Sequence, residues 1–484
     1  MLIDAVRRLA IVSNRALFES YILAIKKAAS LETALEIAER AVWLATTRST
    51  GYYSCKEIED VFLRLASNNS VALQTTFTPQ SVLHVMTQCY AVGGHTRVVE
   101  RWIEQDRHFQ HSVFLTAGAA TDVTSRLAEA VSRRKGRVLL ADPELDLLGR
   151  SLKLRQVASG FDLIVLHVHP HDPTALVAFG TREFSRPVIL YNHADHLFWI
   201  NLSVADVIAE TRSWGMKVTR NKRGCDRSIN LGIPIDTSIS VGTDSAICDQ
   251  MHNRKLLLSV GSPYKYTPVG SWNFWRSLKR LLRDERELEF VGIGLSKANA
   301  PYWVWSNEFK SRVRLLGYQK HSEVVKYAKI CSVAWDSFPQ SGGTALMDIS
   351  ISGAAVVALD CPTGHLDYLN RTDSLVKDEA ELLAKTRQMI SNDWLRLQNI
   401  KNNQTEINSD FNLERWRQNL LNLYKSAGLR HWVYEGFTTN STKIDALDLF
   451  KSSINRSSGV RGFVSYTREI LSCLRKIVCN KYRY

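Results

Sequence analysis

Nowhere in the 484 residues does an apolar run approach the ~20 residues that a membrane-crossing helix needs, so no helical span is expected. The eight cysteines, at 55, 89, 225, 248, 331, 361, 473 and 479, form no CxxC or CxxH pair. Several lie in apolar runs, as Cys331 does in KICSVAW, so buried free thiols are expected rather than disulfides or zinc ligation. The opening segment MLIDAVRRLAIVSNRALFES has Arg7 and Arg8 inside its apolar stretch and no convincing cleavage site. It reads as a first helix, not a signal peptide, and the chain as cytoplasmic. The 12 tryptophans are scattered through core-like patterns with no basic–aromatic interleaving, which argues against nucleic acid as partner despite a net charge of +14.

What is present is an ordinary globular composition, 45% hydrophobic and 23% charged. Residues 1–78 are helical in pattern (LETALEIAERAVWLATTR, then SCKEIEDVFLRLAS), with Ser54 and Glu57 spaced as a capping box. From residue 79 short apolar runs alternate with helical stretches: VLHVMT (82–87), HSVFLT (111–116), RVLLAD (137–142), FDLIVLHV (161–168) and PVILYN (187–192). After an irregular polar middle at 200–250 the series restarts with LLLSVGS (256–262), LEFVGIG (288–294), SRVRLLG (311–317), ICSVAWD (330–336) and AAVVALD (354–360). Continuous apolar strands separated by helices indicate parallel sheets covered on both faces. Two such series predict an α/β fold of two Rossmann-like, doubly wound domains, at 79–245 and 246–435, behind a small helical domain. The segment FNLERWRQNLLNLYKS (411–426) is a closing amphipathic helix.

Residues 436–484 form a basic tail: from 441 onward nine Lys or Arg face three carboxylates. Ile470, Leu471, Leu474, Ile477 and Val478 share one helical face there. Such an end suits peripheral contact with an anionic membrane, or a docked helix with a solvated basic side.

The loop after ICSVAWD reads SFPQSGG and runs into helical TALMDIS. Gly342 and Gly343 let backbone amides approach a ligand, Ser341 precedes them, and Thr344 opens a helix whose amides and dipole suit a phosphate. Asp348, one turn on, can accept hydrogen bonds from vicinal ribose hydroxyls. A Gly-rich turn is also ordinary turn chemistry, and a loop lysine is often simply solvated. Here, however, Lys265 in VGSPYKYTP leaves the first strand of the same series, where a cation would offset a diphosphate's charge. The two together point to a nucleoside diphosphate.

The order GSPYKYTP, VRLLGYQKHSEVVKYAKICSVAWDSFPQSGGTALMD, GAAVVAL resembles the donor-binding half of GT-B glycosyltransferases, and among them the O-GlcNAc transferase group. The resemblance implies that Lys265, Gly343, Thr344 and Asp348 meet the phosphates and ribose, with Tyr318 and Gln319 at the nucleobase. Retaining GT-B enzymes carry Glu, seven residues, Glu; this chain has Gln340 and Asp348 at that spacing, so the first carboxylate is missing. HVMTQCYAVGGHTRVVERWI (84–103) resembles the opening of retaining bacterial members, implying that Gly93 and Gly94 let the backbone pass beneath the sugar diphosphate. The likeness spans residues 81–430, and its two halves leave retention or inversion of the sugar open.

The implied function is transfer of a hexose or N-acetylhexosamine from a nucleoside diphosphate sugar, expected to be UDP-linked, to a protein, lipid-linked or polysaccharide acceptor. No DxD-type metal pair stands in a fitting context, and no cofactor beyond the co-substrate is expected. A base for the acceptor is expected among histidines at first-domain strand ends, because imidazole titrates near the working pH. The candidates, in order, are His196 and His95, then Asp195; His167, His169 and His171 in LHVHPHDP and His193 in YNHADHLFW lie nearby. The HxHxH run also has a metal reading, weakened by its lack of cysteine or of a clear carboxylate beyond Asp172. A non-catalytic nucleotide-sugar-binding module of the same fold is the alternative, and a sugar-nucleotide epimerase a smaller rival.

Overall fold

The computed structural model describes residues 2–74, 78–91, 94–235, 255–428, 439 and 441–454. Three helices come first: α1 (Leu2–Lys26), α2 (Leu31–Thr47) and α3 (Lys56–Ser67). Ser30 caps α2 by accepting the Thr33 amide. The box expected at Ser54 does not form. Helix α3 starts after Cys55 without a side-chain cap, because Ser54 Oγ donates to the Arg223 carbonyl and Glu57 accepts from Lys26 and Thr439. Tertiary partners won over the local cap.

The first series runs β1 (Thr78–Met86), α4 (Gly94–Gln105), β2 (Gln110–Leu115), α5 (Ser125–Arg133), β3 (Val138–Leu140), α6 (Leu147–Ala158), β4 (Phe161–His167), α7 (Thr174–Phe179), β5 (Val188–Tyr191), β6 (Val207–Glu210), α8 (Ser213–Arg223) and β7 (Ser228–Asn230). The second runs β8 (Leu256–Val260), α9 (Phe274–Asp284), β9 (Glu289–Ile293), β10 (Val313–Gly317), α10 (His321–Ile330), β11 (Val333–Trp335), α11 (Thr344–Ile351), β12 (Val356–Leu359), β13 (Leu375–Val376), α12 (Glu379–Ser391), α13 (Asp393–Asp410), α14 (Leu413–Ala427) and α15 (Ala446–Ile454). All ten strands expected from apolar runs form. Strands β6 and β7 lie in the segment read as irregular.

Every strand pairing is parallel, in the orders β3-β2-β1-β4-β5-β6-β7 and β10-β9-β8-β11-β12-β13. Each sheet is therefore doubly wound, with its order reversing beside β1 and β4 in one and beside β8 and β11 in the other. Ligands of such sheets bind where the order reverses, off the carboxyl ends of the strands.

The chain divides into two compact units, one of residues 235–416 and the other of 2–234 with 417 onward. In the unit holding the seven-stranded sheet, α1–α3 add Phe18 and Phe62 to a core with Leu83, Val85, Ile164, Leu166, Phe179 and Trp199. The opposite face of that sheet packs Met86, Val113 and Leu115 on Val99, Ile103 and Leu127. In the six-stranded unit Phe274, Leu278, Phe290, Trp335 and Leu382 form the core. Five cysteines (55, 89, 225, 331 and 361) are buried free thiols. The amphipathic face starting at Ile470 lies outside the described residues, as do the cysteines at 248, 473 and 479. Among the described residues no helix is long and apolar enough to cross a membrane.

Arg155 ties the helical layer to the sheet. Fully buried, it donates to the carbonyls of Ala66 and Asn69 at the end of α3 and of Val177 and Ala178 at the end of α7, at 2.7–3.1 Å. A cation at two helix C-termini meets orphan carbonyls and both dipoles. Arg155→Met is expected to lower unfolding free energy by about 3–5 kcal/mol, read from urea denaturation.

Candidate functional site

In the six-stranded unit, β8 and β11 leave the sheet side by side where the order reverses. A turn at Pro263–Tyr266 carries Lys265 out of β8. Its Nζ donates to the carbonyls of Ser341 (3.1 Å) and Gly342 (3.3 Å), so the lysine and the Gly-rich loop meet at one place. The loop is shaped by Asp336, buried at the end of β11, whose Oδ1 accepts the amides of Gly342 (2.6 Å) and Ser337 (2.8 Å). Burial raises the Asp336 pKa, opposed by these donors and by the Lys265 charge.

The Gly342 amide, expected to face a ligand, is thus held inside the loop. A Cβ at 342 would stand 2.9 Å from Asp336 Oδ1, and Gly343 has φ +61°, so both positions require glycine. Gly343 is the N-cap of α11. The Thr344 and Ala345 amides point from its first turn with no carbonyl partner among the described residues. Asp348 is half-buried, with Oδ2 3.5 Å from His321 Nε2. Tyr318 is 76% exposed beyond β10, and Gln319 beside it donates to the Leu316 carbonyl (2.6 Å).

In the seven-stranded unit, histidines gather where β1, β4 and β5 end. His95 stands in the first turn of α4, directly after Gly94; Gly93 lies outside the described residues. His95 Nε2 reaches the His167 carbonyl (2.7 Å), which fixes it as the protonated nitrogen. Its Nδ1 is buried and has no partner among the described residues. Burial lowers its pKa to about 4. The His193 ring lies 4.2 Å from it, centroid to centroid. The HxHxH run disperses: His167 bonds His84 and His193, His169 bonds the Tyr90 hydroxyl, and His171 packs on Trp43.

His196 and Asp195 stand elsewhere. Both Asp195 oxygens accept from Arg212, at 2.7 and 3.1 Å, and the Arg212 charge holds its pKa far below the carboxylate range against burial. His196 Nδ1 is 3.5 Å from Asp195 Oδ1, while the ring faces Phe450 of α15. His95 and His193 are brought together; His196 and Asp195 form a separate, ion-paired cluster. The sequence reading overlooked Asp336, whose signal was a carboxylate closing an apolar strand, and left His193 unranked.

No family model and no curated protein matches the chain. Solved structures do. A mutant of the Thermobaculum terrenum O-GlcNAc transferase superposes with a TM-score of 0.57 at 13% identity, over 86% of this chain and 82% of that one. HepE from Anabaena, solved with UDP and glucose, gives 0.52 at 15%, over 71% and 99%. The lipopolysaccharide outer core galactosyltransferase WaaB gives 0.52 at 14%, over 72% and 99%. The fold is GT-B. In this GT-B chain the expected α/β architecture of two Rossmann-like sheets is observed, and identities of this size establish the fold alone.

Because the Asp195 pKa is depressed on folding, its ion pair contributes in full above the unfolded carboxylate pKa of ~3.9 and is lost progressively as pH falls from there through the depressed folded value. Asp195→Asn is expected to cost about 3–5 kcal/mol at neutral pH by removing the charge that pairs with half-buried Arg212. In urea titrations the gap to wild type should narrow below about pH 4.

Proposed function

We propose that the protein is a glycosyltransferase that moves a hexose or N-acetylhexosamine from a UDP-type nucleoside diphosphate sugar to a protein, lipid-linked or polysaccharide acceptor. The observation that carries this reading is the contact of the Lys265 ammonium with the Ser341 and Gly342 carbonyls, beside the open first turn of α11. An arriving diphosphate would offer that ammonium a charged acceptor in place of two neutral ones. The amides of Thr344 and Ala345 and the helix dipole favour the same anion. Asp348 faces the ribose hydroxyls, and Tyr318 with Gln319 the base. Similar folds known as an O-GlcNAc transferase, as a galactosyltransferase and from a complex with UDP and glucose support the donor class.

In the reaction the acceptor oxygen bonds to the anomeric carbon as that carbon's bond to the diphosphate breaks, the electron pair leaving with the phosphate oxygen. Lys265 and the α11 terminus take up the charge, so this scheme needs no metal. The acceptor proton requires an unprotonated base with an accessible lone pair. Of the three ranked groups, Asp195 is a poor choice because Arg212 occupies both its oxygens and makes the carboxylate weakly basic, and His196 is committed to that cluster. Among the three, His95 is best placed: it is neutral, beside Gly94 at the start of α4, and its Nδ1 has no partner among the described residues. Contact of the tail with an anionic membrane belongs to the same proposal, as an address for a lipid-linked acceptor.

UDP is expected to raise Tm, and Lys265→Ala to weaken UDP binding roughly 10- to 100-fold in calorimetry, the loss of one charge-assisted contact. Asp348→Asn should weaken it by about 10-fold while leaving the Tm of the free protein nearly unchanged. Incubation with UDP-glucose and UDP-N-acetylglucosamine should release UDP slowly. Binding of UDP with no donor ever turned over would instead establish the non-catalytic module.

A further inference from the structure

Four histidines touch in a line across the seven-stranded sheet, none of them assigned a part in the scheme above. His111 sits near the start of β2, His84 in the middle of β1, His167 at the end of β4, and His193 two residues beyond β5. His84 Nε2 lies 2.9 Å from His111 Nδ1, His167 Nε2 3.0 Å from His84 Nδ1, and His193 Nε2 2.9 Å from His167 Nδ1. The first three are fully buried; His193 is half-buried and forms the open end.

At the closed end stands Asp106, immediately after α4 and itself buried. His111 Nε2 faces Asp106 Oδ2 at 3.3 Å, within ion-pair distance but out of hydrogen-bond alignment, and has no hydrogen-bond partner among the described residues. The same oxygen accepts the Tyr424 hydroxyl (2.7 Å), and Oδ1 accepts the His108 amide (3.2 Å).

The direction of every bond follows from the acid. A carboxylate only accepts, so His111 must donate from Nε2 and accept at Nδ1. His84 then donates from Nε2, as do His167 and His193 in turn. The last free lone pair is His193 Nδ1. The ten residues 96–105 of α4, about 15 Å of helix, separate His95 from the acid that sets this pattern.

We propose that Asp106, His111, His84 and His167 are positioning residues of a polarised proton relay in which His193 Nδ1, in place of its neighbour His95, is the base that takes up the acceptor's proton. This rests on the glycosyltransferase reading. The acceptor O–H proton passes to His193 Nδ1 as the oxygen bonds to the anomeric carbon and the diphosphate leaves with the electron pair. His193 releases its Nε2 proton to His167 Nδ1, His167 to His84 Nδ1, His84 to His111 Nδ1, and His111 to Asp106. Reversal after product departure returns the proton through His193.

The reason for a chain is charge. One buried imidazole that accepts a proton becomes a buried cation, which desolvation opposes. Burial does hold His84, His167 and His193 well below the usual imidazole pKa, so these three rest neutral. Passing the proton on to Asp106 leaves no buried imidazolium; burial raises the Asp106 pKa, but His111, Tyr424 and the His108 amide together hold it below the usual carboxylate value, so the acid holds the proton only in passing. Tyr424 faces the acid from α14, and His95 and His169 face the open end. Glu210, the other carboxylate nearby, lies behind Tyr191 and is held by Asn192 and Thr219. Trp102 covers His84 and His167 edge-on and donates its indole N–H to Tyr424.

The test uses the full chain with nitrogen-15 histidine. Long-range proton–nitrogen spectra should show the Nε2–H tautomer at His84, His111, His167 and His193. Asp106→Asn, which keeps the side-chain shape, should abolish that uniform pattern. Tyr424→Phe removes another bond to the same carboxylate, a matched structural loss, and should preserve the pattern. With UDP-glucose and UDP-N-acetylglucosamine as donors, Asp106→Asn should lower kcat at least 100-fold with KM for the donor and the affinity for UDP within about 2-fold. Mixed tautomers in wild type, or turnover by Asp106→Asn equal to wild type, would overturn the relay. Uniform, Asp106-dependent tautomers in a protein that turns over no donor would instead overturn the glycosyltransferase reading and with it the relay's role in transfer.

Discussion

A carboxylate buried at the carboxyl end of a parallel strand has to find donors, and in both sheets that requirement shapes the loop that follows. Asp336 after β11 takes the Gly342 and Ser337 amides. Asp172, past β4, takes the hydroxyls of Thr87 and Thr116 and the Thr174 amide, joining the exits of β1, β2 and β4 to the start of α7. Glu210 at the end of β6 takes Asn192 and Thr219, and Asp195 past β5 takes Arg212. An unsatisfied carboxylate there would cost several kcal/mol, so each loop is held in one conformation. A site built on such loops is preorganised, and electrostatic stabilisation depends on donors being in place before charge develops.

At the nucleotide end the requirement explains why two glycines stand together. Gly342 is glycine because the Asp336 oxygen occupies the space of a Cβ, and Gly343 because its backbone is left-handed. Only past both does the chain present free amides, at the first turn of α11. The carboxylate and Lys265 press on the loop from either side, the first through amides and the second through carbonyls. Removing Asp336 would therefore disturb the phosphate end even though the acid itself faces inward.

How much of this was legible follows the range of each interaction. Ten apolar runs gave ten strands because a parallel strand buried on both faces carries its signal in its own residues. Strands β6, β7 and β13 were missed: four, three and two residues long, they are held by pairing to β5, to one another and to β12, and pairing leaves no local pattern. The Ser54 cap failed for a related reason, its hydroxyl finding a carbonyl 169 positions away. The phosphate loop was legible because its parts are contiguous and Lys265 leaves the neighbouring strand at the same height. Ranking His196 first went by its place in a strand-end motif, and Arg212 and α15, which surround that cluster, are distant in sequence.

The histidine line was illegible as a line and partly legible as residues. Its members are separated by 27, 83 and 26 positions along the contacts, and the line crosses strands diagonally, so no spacing announces it. Yet His84 interrupts SVLHVM and His111 precedes SVFL, imidazoles on strands otherwise filled by Val, Leu and Met. A polar group in a core strand is the informative exception to burial, because it must be satisfied from within. An imidazole can satisfy another only by donating from one nitrogen and accepting at the other, so a row of them cannot be symmetric. It needs an end that only accepts, and one buried carboxylate at the foot of the sheet is enough to orient every ring above it.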